Sequence, residues 1–398
     1  MVRSSRARIC AYAVAFAAVV TPIVPAAASA SDAFFDPPAS LSMGRPGDVI
    51  RSEQVRVASL PGTRAWRVMY QSTTATGEPT AVTGLIVVPR RMRATTPLVG
   101  IAPGFPGMAD KCAPSKTIPG GTSAELPLML PLVERGYAIA VTDYEGMGTP
   151  GDHRYVVGAS EAHDVLDVMR AARRFAPAGI PADSPAVLSG YSQGGHAAMM
   201  TAELQSDYAP DVPLRGVAAG GLPGDFEALA DYMDGTLFSP LLMAVAIAYD
   251  AAYPELDLDA VLTPRGRRIR DQIRRGCITD ILTGPGAFVR SSSVTTIDLL
   301  KDPAWLARLR SNLAGTRKPP MPLYLYHARA DEGLPFAQAL ATRNRYCALG
   351  AKVQWRELHF TEHATGALVG IPHVVRWLDA RLRGEPEPGT CPPATAPG

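Results

Sequence analysis

The sequence predicts an α/β fold: a mostly parallel sheet with helices on both faces, interrupted by a helical insertion. Three observations carry this. Short apolar runs alternate with helical patterns over residues 98–219 and again over 323–383, and strands joined through helices pair in parallel. That rhythm stops between Pro223 and Pro319, where helix-like segments succeed one another without strands. Between the two, residues 185–198 (PAVLSGYSQGGHAA) read as a strand, a very tight turn carrying Ser192, and a helix leaving at once.

The leader is set aside before the fold is read. Arg3, Arg6 and Arg8 make a basic start, residues 9–20 are an apolar run, and Ala28-Ser29-Ala30 is a small-residue cleavage pattern. These predict a secretory signal peptide over residues 1–30, cleaved after Ala30 to leave Ser31 as the new N-terminus of an exported protein. The apolar run is too short to span a bilayer, and Cys10 lies inside it rather than at a lipidation site. Without its three arginines the chain has 36 Lys and Arg against 37 Asp and Glu, a formal net charge of −1. The slight basicity of the precursor therefore implies no nucleic-acid partner. Four cysteines remain: Cys112, Cys277, Cys347 and Cys391. An even number in an exported chain predicts two disulfides, with three pairings open. No C-x-x-C spacing exists, which excludes zinc ribbons and thioredoxin-like motifs; four buried free thiols are the plain alternative.

At 398 residues and 47% hydrophobic, the chain can bury a large core and exceeds one ordinary α/β domain. Residues 31–64 are punctuated by Pro and Gly and read as an extended surface wrap. Residues 66–72 and 81–88 are β-rich runs about Thr76-Gly77-Glu78-Pro79, hence a hairpin. A third strand, 98–102, ends in Pro103-Gly104-Phe105-Pro106-Gly107. A helix over 124–135 is closed by Gly136, and a strand follows at 137–142. Residues 161–175 carry a helical stripe at Val165, Val168, Met169, Ala172 and Phe175. The Ser192 strand and helix and a strand at 214–219 complete a first core section, 31–222. The insertion, 223–319, has helix-like stretches at 225–233, 239–252, 265–281 and 297–313 and reads as a cap, or lid. A second core section, 320–384, holds strands at 323–327 and 353–360 and helices at 335–349 and 365–383. The Pro-rich tail, 385–398, is expected to be loose apart from Cys391. Six arginines crowd into residues 265–275; a solvated helix face is the plain reading, an anionic contact the sharper one.

The chemistry is concentrated in the turn. Gly190-Tyr191-Ser192-Gln193-Gly194 is the G-x-S-x-G elbow, whose central residue is forced into a strained conformation that exposes its side chain. Its flanking positions are glycine because a Cβ would meet the neighbouring strand and helix. A serine hydroxyl needs a base within reach and an acid to orient that base, and in this arrangement the chain order is nucleophile, acid, base. Asp331 follows the 323–327 strand and His363 follows the 353–360 strand, both at carboxyl ends of parallel strands, where such folds place their sites. Rivals exist. His196 lies one turn along the elbow helix and is held away from the hydroxyl. His359 falls within the last strand and His373 within the final helix, both structural positions. His327 precedes Asp331 within its strand, and Glu332 is the alternative acid. His359 and His363 straddle a strand end, so their i, i+4 spacing is a poor zinc pattern. The oxyanion donors expected are the backbone N–H of Gln193 and, from the loop after 98–102, that of Phe105 following Gly104.

With these residues assembled, PGFPGMADKCAPS (103–115), TDYEGMGTPG (142–151), GYSQGG (190–195), ADEGLP (330–335) and TEHATG (361–366) resemble the secretory lipase family, lipase-A-type α/β-hydrolases exported by fungi and actinobacteria. The resemblance covers nearly the whole mature chain, cap included. It implies an α/β-hydrolase fold, Ser192, Asp331 and His363 as a triad, and hydrolysis of acyl esters, glycerides among them, beneath the cap. It also implies the pairings Cys112–Cys277 and Cys347–Cys391. One departure is Pro103-Gly104, where many α/β-hydrolases have His-Gly.

The expected protein is thus an exported, monomeric serine hydrolase of acyl or lipid esters, in transient contact with a lipid interface and needing no cofactor or metal. Residues 239–252, with Leu241, Leu242, Met243, Val245 and Ile247, are apolar enough to line an acyl tunnel or simply to pack the cap. An acyltransferase would use the same triad, and a non-catalytic binding protein of this fold would normally lack one member.

Overall fold

The computed structural model describes residues 32–41, 44–387 and 389–391. The expected leader and its cleavage point lie outside them, apart from the boundary residues that follow. Of the first of the chain's two units the described residues are Asp32–Phe34, a short 3-10 turn. Residues 35–398 form the second unit.

This second unit is built on nine strands: β1 (Val49–Val55), β2 (Thr63–Thr73), β3 (Pro79–Pro89), β4 (Leu98–Ala102), β5 (Ala138–Thr142), β6 (Ala186–Tyr191), β7 (Leu214–Gly220), β8 (Leu323–Ala328) and β9 (Val353–Leu358). They form one open sheet in the order β1-β2-β3-β5-β4-β6-β7-β8-β9. The first three strands and the β3–β5 pair are antiparallel; from β5 to β9 every pair is parallel. β4, β5, β6 and β7 read as near-continuous apolar runs because both their faces are covered. On one face the helices Gly158–Arg174 and Gln193–Tyr208 bury Val165, Met169, Ala198 and Met199. On the other, Leu126–Glu134 and His363–Leu382 bury Leu132, Val374, Trp377 and Leu378.

β4 lies between β5 and β6, so the strand order reverses there. That leaves a crevice at the carboxyl ends of β4 and β6, into which Pro103 and Ser192 emerge.

Between β7 and β8 the described residues hold helices and no strand: Phe226–Met233, Ser239–Ala252, Leu258–Val261, Pro264–Ile273, Ile278–Leu282 and Pro303–Ser311. They enclose a core of their own around Met243, Ile247, Tyr249, Ile269 and Trp305. The helix expected over 265–281 is two, because the chain turns at Arg274–Cys277 to meet the loop after β4. Met108 and Ala109 N–H donate to Gly276 O (3.0 and 3.3 Å), and Ile278 N–H donates to Pro106 O (2.9 Å). Gly107, at φ +127°, sits against this turn; a Cβ there would lie 2.5 Å from the Cys277 Cα. The disulfide Cys112–Cys277 closes the same corner. Several of the clustered arginines are paired: Arg267 and Arg270 nearby with Asp259, and Arg274 in two-pronged contact with the distant Asp152.

Two further differences from the sequence expectation have plain causes. β1 stands where the sequence predicts an irregular wrap, because its half-buried and exposed residues make the pattern of an edge strand rather than a core run. The tail is not loose as far as Cys391: Thr390 N–H donates to Val353 O at 2.7 Å, and Cys391 is joined to Cys347.

Candidate active site

Ser192 stands between β6 and the helix Gln193–Tyr208, at φ 59° and ψ −120°. For a residue with a Cβ this is a costly conformation, and the surroundings enforce it. Ser192 N–H donates to Gly220 O on β7 at 2.9 Å. A Cβ on Gly190 would fall 2.0 Å from Gly194 O, and one on Gly194 1.9 Å from Ala102 O. The hydroxyl is thereby lifted out of the turn.

Asp331 is buried in the loop after β8. Its Oδ1 accepts from Gly333 and Leu334 N–H (3.1 and 2.7 Å), and its Oδ2 accepts from His363 Nδ1 at 2.7 Å. His363, the first residue of its helix, turns Nε2 to Ser192 Oγ at 3.0 Å. Residues 171 and 32 positions apart thus form one hydrogen-bonded row. His363 is fixed from two sides besides: its N–H donates to Glu332 Oε2 (2.9 Å), and its carbonyl accepts from Tyr191 OH (2.7 Å). Glu332 therefore holds the backbone of His363, while Asp331 holds its ring.

The other histidines are occupied elsewhere. His327 accepts from Leu222 N–H at Nδ1 (3.0 Å) and donates from Nε2 to Leu334 O (2.8 Å), bracing the Asp331 loop. Burial pushes its pKa down despite the nearby Asp331 charge. His359 lies past the end of β9 and is exposed, not within the strand, because the chain turns at Phe360 with φ 56°. His373 lies within the helix His363–Leu382. His196 is fully buried against Glu161 (2.8 Å) and Asn312 O (2.8 Å). Burial opposes its charged form, but the Glu161 contact prevails and raises its pKa.

Of the three residues expected at the oxyanion position, Gly104 has its N–H engaged with Glu125 Oε1 at 3.1 Å. It places the loop and is not free to meet a ligand. Burial raises the Glu125 pKa, partly offset by the bonds from Ser123 and Gly104. Among the described residues, the backbone N–H groups of Phe105 and Gln193 donate to no protein acceptor. The Phe105 ring stacks on Tyr155 at 4.1 Å and in line with His153 at 6.1 Å. His153 is wholly buried, which pushes its pKa down to about 4, so it is neutral and accepts from Gln193 Nε2 at 2.8 Å. His153 and Glu161 were not singled out in the sequence. Neither belongs to a motif, and only the fold brings them to the elbow.

A cavity of about 620 Å³ runs through the helical insertion, within the ~300–1,000 Å³ usual for small-molecule sites. Phe226, Leu229, Leu241, Leu242, Val245 and Trp305 make its apolar wall. Ser192 is not part of that wall. The cavity approaches the row at two places, through Leu334, which bonds Asp331, and through Tyr155, which stacks on Phe105.

Comparison with known proteins agrees with this architecture. A probable inactive lipase of Mycobacterium tuberculosis is 28% identical over 395 residues, covering 92% of this chain and 84% of its own. A secreted triacylglycerol lipase of Malassezia furfur is 24% identical over 391 residues, covering 91% and 81%. Candida antarctica lipase A in its closed state superposes with a TM-score of 0.83 at 23% identity, over 92% of this chain and 89% of that one. A mutant of the rice cell wall degrading esterase of Xanthomonas oryzae gives 0.72 at 22% identity, over 86% and 100%. The fold is that of the lipase-A-type α/β-hydrolases. The family model for secretory lipases matches residues 113–389, most of the chain, and the chain belongs to the secretory lipase family.

Proposed function

We propose that the protein hydrolyses carboxylic esters of acyl chains, glycerides among them, through a Ser192–His363–Asp331 triad and an acyl-enzyme intermediate. The observation that carries this is the unbroken row from Ser192 Oγ through both nitrogens of His363 to Asp331 Oδ2, at 3.0 and 2.7 Å. One relative is named as probably inactive; here Ser192 and Asp331 each stand within hydrogen-bonding reach of His363.

Ser192 Oγ attacks the ester carbonyl carbon while its proton passes to His363 Nε2. Asp331 keeps the Nδ1–H tautomer and stabilises the imidazolium without taking its proton. The carbonyl oxygen becomes an oxyanion facing the N–H groups of Gln193 and Phe105, the former at a helix N-terminus where the dipole favours negative charge. Collapse expels the alkoxide, which takes the proton from His363 and leaves as the alcohol. Water then attacks the acyl-enzyme by the same route and releases the acid.

The apolar cavity supports an acyl-chain substrate, with the insertion acting as the roof of the site. Exposed Phe288 and Ile297 on the insertion, and Phe360 and Leu368 beside His363, support contact with an oil–water interface. Ser192→Ala tests the reading: hydrolysis of p-nitrophenyl esters should fall by about 10⁴-fold or more, with the circular dichroism spectrum unchanged. Turnover retained within tenfold, about 1.4 kcal/mol of barrier, would dispose of Ser192 as nucleophile.

A further inference from the structure

We propose that Glu161 is a positioning residue for the oxyanion hole, acting through the Gln193 side chain and keyed to the cap through His196. The inference rests on the acyl-enzyme reading above, in which Gln193 and Phe105 supply the oxyanion donors.

Glu161 is fully buried on the helix Gly158–Arg174. Its Oε1 accepts from Gln193 Nε2 (2.8 Å) and from Val156 N–H (2.9 Å). Its Oε2 faces His196 Nδ1 at 2.8 Å. A backbone carbonyl can only accept, so the His196 Nε2 that lies 2.8 Å from Asn312 O carries a proton and donates it there. Asn312 directly follows the last helix of the insertion, and its Oδ1 accepts from Gly158 N–H at 2.7 Å. Phe226, a cavity-wall residue, packs edge-on against the His196 ring at 5.3 Å. One carboxylate therefore joins the elbow helix, the loop at Val156 and the end of the cap.

What makes this a catalytic matter is which residue hangs from it. Gln193 is the residue whose main-chain N–H would meet the oxyanion, and its side chain is pinned at the far end by Glu161 and by His153 Nε2 (2.8 Å). His153 in turn stacks in line with Phe105, the other donor residue. Both donor residues thus meet at the Gln193 side chain, which Glu161 holds. The amide orientation is set by these acceptors and not by its own satisfaction: Gln193 Oε1 has no protein partner among the described residues, a state that costs free energy when buried. Transition-state stabilisation by hydrogen-bond donors depends on their being held in place before charge develops.

A role confined to tying cap to core would lower stability and leave the rate per intact site alone, and this separates the two. Intact sites are counted by titration with a fluorophosphonate probe, and kcat, KM and inhibition by a trifluoromethyl ketone, whose adduct carries an oxyanion, are measured per titrated site. Gln193→Met keeps length and burial without the amide donors. It should lower kcat by about tenfold or more, less than the ~10²–10³ of deleting a donor outright, with KM within about twofold and ketone inhibition weakened in step with kcat. Glu161→Ala should move the same quantities in the same direction. Glu161→Gln, which keeps a carbonyl oxygen for Gln193 and Val156, should recover at least about fivefold over the alanine variant. A Gln193→Met enzyme with kcat per site and ketone affinity within about twofold of the parent overturns the proposal, and decides it alone if Glu161→Ala does not fold. Ser192→Ala keeps the two readings apart: its activity indicts the nucleophile, whereas an inactive Ser192→Ala beside an unaffected Gln193→Met indicts only the positioning role.

Discussion

Replacing Cys112 and Cys277 together by alanine should remove stability and catalysis by separable amounts. The disulfide closes a span of 165 residues, for which the chain-entropy model gives about 5 kcal/mol as an upper figure. The same corner holds the loop that carries Phe105: three main-chain hydrogen bonds join residues 106–109 to Gly276 and Ile278, each worth about 1 kcal/mol. Without the covalent tie the Phe105 loop is held only by those bonds, the Gly104–Glu125 bond and the stack on Tyr155, and kcat should fall about tenfold, as expected when an oxyanion donor loses its fixed position. The comparison is the Cys347→Ala, Cys391→Ala pair. Its span is 44 residues, which gives about 4 kcal/mol, and it lies away from the row of Ser192, His363 and Asp331. Urea unfolding should report losses of several kcal/mol for both pairs, larger for the first, whereas kcat per titrated site should drop only for the first. Equal loss of kcat in both, or none in the Cys112–Cys277 pair, would refute the idea that the cap corner holds the oxyanion loop.

Two more outcomes follow from buried groups and from the cavity. Burial, reinforced by the Glu145 charge, holds the Asp164 pKa well above its ordinary value. The native state then binds more protons than the unfolded one above the unfolded pKa of ~3.9, so this group's contribution is complete in acid and declines, by up to about 1.4 kcal/mol per pH unit, as pH rises towards the folded pKa. Asp164 Oδ1 lies 2.7 Å from Ser72 Oγ and its Oδ2 accepts from Glu145 N–H, an arrangement asparagine can reproduce. Asp164→Asn should therefore change urea stability by less than about 1 kcal/mol at pH 5 and make the protein more stable than the parent at pH 8; destabilisation at pH 8 would show that the carboxylate is ionised. Val245→Trp fills part of the apolar cavity and should cut turnover of long-chain p-nitrophenyl esters by about tenfold, with butyrate hydrolysis falling less than about twofold; equal losses across the series would place the acyl chain elsewhere.

The elbow could be read from sequence because its chemistry is local. Gly190 answers to a clash with Gly194 four residues on, Gly194 to one with the neighbouring strand at Ala102, and a strand and a helix announce themselves by period. Asp331 and His363 could be brought to the edge of the sheet that carries Ser192 because each follows a strand of the parallel set. What sequence did not disclose is long-range pairing without periodicity. β1 is an edge strand whose half-exposed pattern resembles a loop. The break at Arg274–Cys277 is made by contact with residues 106–109, far away in the chain. Glu161 reads as one more polar residue of an amphipathic helix, yet it is fully buried, because His196, Gln193 and Val156 supply partners that only the folded chain brings together. Gly104 is a similar case: nothing near it in the sequence discloses that the carboxylate of Glu125, 21 residues on, takes its N–H.

An open sheet has two margins, and the one at β9 ends in unpaired main-chain groups that invite another strand. Here the margin is occupied by the chain's own tail: Thr390 bonds Val353 through its N–H and receives Trp355 N–H on its Oγ1 at 2.7 Å. The cystine beside it keeps that short segment from drifting away. In an oxidising medium the outermost strand is therefore sheathed, and under reducing conditions it would be held only by weak, reversible contacts. The thiol chemistry of the surroundings would then govern self-association as well as folding.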